Sequence, residues 1–207
     1  MEKQSKEKKI FMLLVDELKN SRLNDYNLDT ILKRKKIREE DFYYYFPYKT
    51  ISLFIYFLRN IQINIEKKVI IKFKSEKSIS KRVNFILIEL IKLFEKDKDI
   101  SLYFLNFIAS KPILLKKTAL KFADWVWCLL KDKSVDFNFY TKRIILSQIV
   151  INSVLYWRGT NSFEKTTIFI NRQINSLGKF GFYKSKIKKL LSSNIPKDIF
   201  SKFDFLH

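Results

Sequence analysis

The chain has 207 residues, a formal charge of +20 from 41 Lys and Arg against 21 Asp and Glu, and 47% hydrophobic content including 20 Phe, 10 Tyr and 3 Trp. A chain of this length fits one domain, or one domain with a small appendage, and can bury roughly 70% of its unfolded surface. With only 3 Gly and 3 Pro there are few breakers and long helices are favoured, while the single histidine, His207, leaves a His-containing triad or a Glu-x-x-His di-iron site without a plausible member.

Lys far outnumbers Arg beside an excess of Ile, Asn, Phe and Tyr, the bias of AT-rich coding rather than of phosphate-gripping forks. A surface this positive is still attracted to anionic lipid. The lone Cys128 excludes an intrachain disulfide, and with Trp127, Leu129 and Leu130 around it a buried, inert thiol in a reducing compartment is expected. Residues 1–9 lack an apolar stretch and contain Glu2 and Glu7, against a secretory signal or a mitochondrial transit peptide. These features point to a bacterial cytoplasm. The apolar run Ile51 to Leu58 is too short for a bilayer, which needs about 20 residues.

The first predicted helix covers Ile10 to Leu18, where Ile10, Leu13, Leu14 and Leu18 follow a helical period and Asn20-Ser21 ends it. Leu28 to Arg34 and Arg38 to about Tyr45 follow, with Ile37 between them as an apolar plug. Pro47 stands near the start of a long helix, Thr50 to about Phe73. After a polar connector, Ser75 to Ser80, come Val83 to Phe94 closed by the charged stretch Glu95 to Asp99, then Ser101 to Ile108, and Leu114 to Leu130 after Lys111-Pro112. A charged turn, Lys131 to Ser134, leads to the last two long helices, Phe137 to Trp157 and Phe163 to Leu177, separated by Arg158-Gly159-Thr160-Asn161. The tail from Phe180 alternates basic and apolar residues.

No chemistry-bearing motif emerges. Gly159, Gly178 and Gly181 fit neither a dinucleotide fingerprint nor a phosphate loop, and neighbouring acids such as Asp97/Asp99 or Glu39/Glu40 read as solvated charges. No catalytic residue, metal ligand or cofactor is assigned.

Phe42-Tyr43-Tyr44-Tyr45-Phe46-Pro47-Tyr48-Lys49 resembles the Y-x-Y-F-P-x-K signature that ends the recognition helix of TetR-type repressors. The resemblance implies an all-α, TetR-like fold with a degenerate helix-turn-helix N-terminal unit (1–48), a helical ligand-binding and dimerisation domain (49–180), and a tail (181–207). Reading DNA needs neutral or positive side chains in the major groove. Here the helix opens Arg38-Glu39-Glu40-Asp41, and the turn glycine usual in the repressors is Lys36. A DNA-binding transcriptional regulator is therefore the alternative, not the leading reading.

The second half is more informative. Ala123-Asp124-Trp125-Val126-Trp127, then Asp132-Lys133-Ser134-Val135-Asp136-Phe137-Asn138-Phe139-Tyr140-Thr141-Lys142-Arg143, then Phe169-Ile170-Asn171-Arg172-Gln173-Ile174 have the order and spacing of the lipid-binding accessory family of ubiquinone (coenzyme Q) biosynthesis, which they resemble over about 118–180. The departures are Lys131 for the family's Gly, Val135 for Thr, Phe139 for Trp, and Gln173 after Arg172.

That resemblance implies a non-catalytic homodimer, peripheral to the inner membrane, that presents an isoprenoid lipid or quinone intermediate to the di-iron demethoxyubiquinone hydroxylase. It assigns partner docking to Asp136, Asn138, Phe139, Tyr140 and Arg143. On the residues alone, Ser134 or Asp136 can cap the following helix, with Phe139, Tyr140, Lys142 and Arg143 fanned over its first turn. That helix is apolar nearly all round and needs cover on more than one side. Phe104, Phe107, Trp125, Trp127 and Tyr156 are the candidate lipid-pocket residues, with plain core as their other reading. Phe182, Tyr183, Lys184, Lys186, Ile187, Leu190 and Leu191 suit a basic amphipathic helix on an anionic membrane, or one docked on the body.

Overall fold

The structure, a computed structural model, describes residues 2–73, 76–133 and 135–177. Among these residues it is entirely helical: α1 (Glu2–Lys19), α2 (Leu28–Arg34), α3 (Glu39–Tyr45), α4 (Thr50–Lys72), α5 (Ile79–Lys96), α6 (Lys98–Ala109), α7 (Pro112–Leu129), α8 (Asp136–Thr160) and α9 (Phe163–Leu177). This all-α architecture is compatible with a TetR-like arrangement.

α1 begins eight residues before the expected Ile10. Its start is rich in Lys, Glu and Gln, all good helix formers, and Glu7 pairs with Arg59 of α4 at 3.7 Å. Ile10, Phe11, Leu14 and Leu18 form its buried stripe. Asn24 and Asn27 accept from each other's backbone N–H at 3.0 and 2.9 Å, which shapes the approach to α2.

With so few glycines, several helices end on residues that pay a Cβ penalty. α1, α2 and α7 finish with Ser21, Lys36 and Lys131 in the left-handed region at φ 52°, 54° and 55°. In each the two backbone hydrogen bonds of a Schellman ending form; at α7 these are Lys131 N to Cys128 O (2.9 Å) and Asp132 N to Trp127 O (3.0 Å). Lys36 thus keeps the conformation that glycine serves in the repressor turn.

α3 stops at Phe46 because Pro47 follows, and α4 runs from Thr50 without interruption. Its first turn is capped from outside: Asp25 accepts from the backbone N and hydroxyl of Thr50 at 3.2 and 2.5 Å.

Several boundaries differ from expectation. α5 starts at Ile79, with Ser78 Oγ accepting from Lys81 N, and runs through Glu95 to Lys96. α6 starts at Lys98, so Ser101 is not its start but a buried residue whose hydroxyl donates to Asp97 O at 2.8 Å. α8 continues through Arg158-Gly159-Thr160 and ends at Asn161, φ 53°, so the separator predicted there is helix. Gly159 has open space around it and a backbone that stays helical.

α8 packs along α7 and also meets α5, α6 and α9, which accounts for its apolar circumference. α9 closes on α5 and α8, with Ile170 and Ile174 buried and Asn84 Nδ2 donating to Asn171 Oδ1 at 2.8 Å. The core centres on Phe54, Phe57, Phe94, Phe104 and Trp157, whose rings meet at centroid distances of 5.1 to 6.4 Å. Within it, Trp157 Nε1 donates to Glu95 Oε2 at 2.8 Å. No described helix is long and apolar enough to cross a membrane.

Candidate functional site

The residues picked out by motif spacing converge at the turn from α7 into α8. The Schellman ending of α7 turns the chain at Lys131 and places Asp132 beside the first turns of α8. Asp132, whose side chain is 9% exposed, accepts from Lys142 Nζ at 2.6 Å and faces Arg143 Nη1 at 3.7 Å. Arg143 Nε reaches back to Asp124 Oδ1 at 2.5 Å, and its Nη1 donates to Phe139 O at 3.1 Å.

The cations also lie over rings. The Arg143 guanidinium carbon is 3.3 Å from the Phe139 centroid, and Lys142 Nζ is 5.0 Å from that of Trp127. The junction is an electrostatic clasp with a buried centre, Arg143 and Asp132, and a solvated edge, Asp124 and Lys142, its cations lying over the rings of Phe139 and Trp127.

Arg143 was expected in the exposed docking patch. Its side chain is only 5% exposed, because the two carboxylates and the Phe139 carbonyl draw it beneath the surface. The accessible part of the patch is Val135 (70% exposed), Asn138 and Tyr140, with Phe139 half-buried. Val135 holds the N-cap position of α8 and makes no side-chain cap, so the expected cap by Ser134 or Asp136 is corrected at that position. Asp136 occupies the first helical position, where a negative charge suits the helix dipole; its side chain, and Ser134, lie outside the described residues.

Asp124 and Asp132 are not singled out by the sequence as site residues, and Lys142 is expected only on the first turn of the helix beside Arg143. The available signal was their place in the motif run; the partnership of Asp124 with Arg143, 19 residues on, is not legible from local periodicity. Cys128 is exposed, contrary to expectation. The buried stripe of α7 is Ala119, Phe122, Ala123 and Val126, and a residue two beyond Val126 sits about 200° further round the helix.

An apolar cavity of about 40 Å³ lies where α4, α5, α6, α7 and α8 meet, walled by residues including Phe54, Leu58, Leu90, Leu115, Ala119, Phe122, Val150 and Val154. None of the five aromatics expected to wall a lipid pocket lines it. Phe104 is fully buried in the aromatic core. Trp125 Nε1 donates to Glu66 of α4 at 2.8 Å. Trp127 lies under Lys142. Tyr156 is stacked on Phe169 at 4.4 Å.

Phe107, beneath Lys111 Nζ at 4.6 Å, instead lines an open cleft of about 640 Å³ with mixed polar and apolar walls between the α1–α2 loop, the start of α4 and the end of α6. In that cleft Tyr103 donates to Leu23 O at 2.8 Å, and burial raises its phenol to about 12. The tail residues Phe182, Tyr183, Lys184, Lys186, Ile187, Leu190 and Leu191 lie outside the described residues. Among the described residues no group of three or more His, Cys, Asp or Glu side chains could hold a metal ion.

Comparison with protein families finds one match to this geometry's own segment: the COQ9 family model covers residues 114–181, from the start of α7 to just past α9. No curated protein and no solved structure matches the chain.

Proposed function

We propose that this chain, whose residues 114–181 match the COQ9 family model, serves coenzyme Q biosynthesis as a non-catalytic accessory that holds an isoprenoid quinone intermediate and presents it to a membrane-associated hydroxylase. The observation that carries the reading is the coincidence of the family match with the Asp124–Arg143–Asp132 clasp, which ties α7 to α8, two of the three helices of the family segment. A clasp centred on a buried arginine supports the reading of a fixed surface rather than a reaction centre. The surface it fixes offers Asn138, Phe139 and Tyr140 to the hydroxylase, with Asp136 beside them and Arg143 acting from beneath.

The lipid enters between helices. The cavity wall is apolar apart from Thr118, which suits a prenyl chain, but at about 40 Å³ this partly open space is far below the ~300 Å³ at which ligand pockets begin. Binding therefore requires α7 and α8 to part from α4. Transfer from bilayer to protein exchanges one apolar medium for another, so the ~0.8 kcal/mol per CH₂ gained on leaving water largely cancels. Selectivity then rests on the quinone head and the partner. Two copies of the chain work as a dimer, and residues 181–207 hold it to the anionic inner membrane.

The regulator alternative is opposed by α3, whose first turn presents Glu39 and Glu40 to solvent while Arg38 is spent on Asp41 at 2.7 Å. The test is mass spectrometry of lipids that co-purify without detergent, on wild type and on Ala119→Leu, which narrows the cavity. A stoichiometric quinone or precursor in wild type, lost in the variant with its helical content intact, is the expected result. Phospholipid alone in both would overturn the reading.

A further inference from the structure

The outward face of the second half of α4 is apolar where a soluble helix should be polar. Ile63, Lys67, Ile70 and Ile71 share one face by their i, i+4, i+7, i+8 spacing, and the three isoleucines are 41%, 67% and 75% exposed. In the first half of α4 the same direction is covered: Tyr56 is buried against Phe11 of α1, centroids 4.8 Å apart. The uncovered stripe runs to the end of α4, and Ile79, 45% exposed, follows at the start of α5.

The stripe carries and is bordered by charge of one sign, Lys67 lying within it and Lys72 and Lys77 at its end. Lys67, Lys72 and Lys77 are exposed. The nearby acids are engaged elsewhere: Glu66 accepts from Trp125, Glu89 pairs with Lys68, and Glu76 pairs with Lys81 at 3.8 Å.

Charge decides what covers it. At this face a two-fold contact with a second copy would set the same lysines against one another, and residues 178–207 carry seven lysines against Asp198 and Asp204, so both are disfavoured here. An anionic occupant is favoured, and branched aliphatic side chains fit hydrocarbon better than bases or phosphates, since the one aromatic and arginine at the end of the stripe, Phe73 and Arg82, are engaged with each other at 5.2 Å. We propose that the α4 stripe is a membrane-contacting edge that inserts Ile70 and Ile71 into an anionic bilayer, with Lys67, Lys72 and Lys77 at the headgroups. This is separate from the tail and does not depend on quinone binding.

The experiment uses the full chain in a Cys128→Ser background, with Ile71→Cys carrying a polarity-sensitive dye, and phosphatidylcholine vesicles with or without phosphatidylserine. The dye moves to an apolar environment on anionic vesicles only. Lys67→Glu/Lys72→Glu, placed beside the dye, lowers the partition coefficient by roughly thirtyfold or more, about 1 kcal/mol for each lysine lost plus the repulsion of each carboxylate gained. Lys116→Glu/Lys117→Glu, the same charge change on α7 beside the other end of α4, lowers it far less. Ile70→Ser with the unlabelled Ile71→Ser weakens sedimentation with anionic vesicles while circular dichroism stays unchanged.

A dye that stays aqueous while the protein sediments would overturn the proposal and leave attachment to another segment. An equal dye response to duplex DNA would overturn it in favour of a nucleic-acid surface. Insertion of the dye by a protein that co-purifies no quinone keeps this edge and removes the escort reading.

Discussion

Arg143 of α8 and Asp124 of α7 close the turn between their helices, Nε to Oδ1 at 2.5 Å, with the arginine almost fully buried and the aspartate half exposed. The pair is therefore fed from one side by water, and the second carboxylate, Asp132, supplies the dry side. Removing the cation takes one charged neighbour from Asp132 and the direct ion-pair partner from Asp124. Arg143→Ala is expected to cost about 3 kcal/mol. Arg143→Lys should recover only part of this, since one ammonium cannot serve Asp124 and the Phe139 carbonyl together. Urea unfolding measures both, and a loss within 0.5 kcal/mol of zero for the alanine, roughly what an ordinary surface change costs, would refute the clasp.

Lys131 holds a left-handed φ of 55° at the end of α7, where the resembled family has glycine. Lys131→Gly should stabilise by about 1 kcal/mol by removing the Cβ clash. Lys131→Ala keeps the Cβ and should not. Chemical-denaturation midpoints compared with wild type check this.

Gly159 lies in the last turn of α8 with nothing within 4 Å of an added Cβ. Gly159→Ala is expected to raise stability by roughly 0.5 kcal/mol. A loss instead would mean that the chain turns there rather than at Asn161.

Glu95 is half-buried, and burial pushes its carboxyl up, but hydrogen bonds from Lys98 and Trp157 outweigh this and leave it below the ordinary 4.5. A lowered folded value contributes stability above 4.5 and loses it as pH falls through the folded value. Trp157→Phe removes one of the two donors. Its cost relative to wild type should therefore be larger at neutral pH than in acid below that range, and equal costs at both would show that the indole only fills space.

Tyr103 and Tyr43 are both raised to about 12, the first chiefly by burial and the second by its hydrogen bond to Asp29. Raised values favour the fold below the ordinary 10 and destabilise it as pH climbs toward 12. Ultraviolet titration should show two tyrosines ionising late, and one fewer in Asp29→Asn.

Helix content and most helix positions are properties of the sequence by itself, because apolar spacing, Pro47, Pro112 and the scarcity of glycine act within a turn or two of where they stand. The COQ9 segment was legible for the same kind of reason: its residues recur at short, regular spacings in one stretch, 114–181.

What tertiary structure alone decided are the properties that depend on a partner far along the chain. Arg143 goes under the surface because Asp124 and Asp132 meet it across a turn; Cys128 faces out because α8 covers the other side of α7. Glu95, charged and predicted to end a helix, stays inside one because Trp157 reaches it from 62 residues away. Ile70 and Ile71 look like core by composition and are exposed because no described helix covers the end of α4. Periodicity states which face of a helix is apolar; only the packing of the other helices states whether that face is covered.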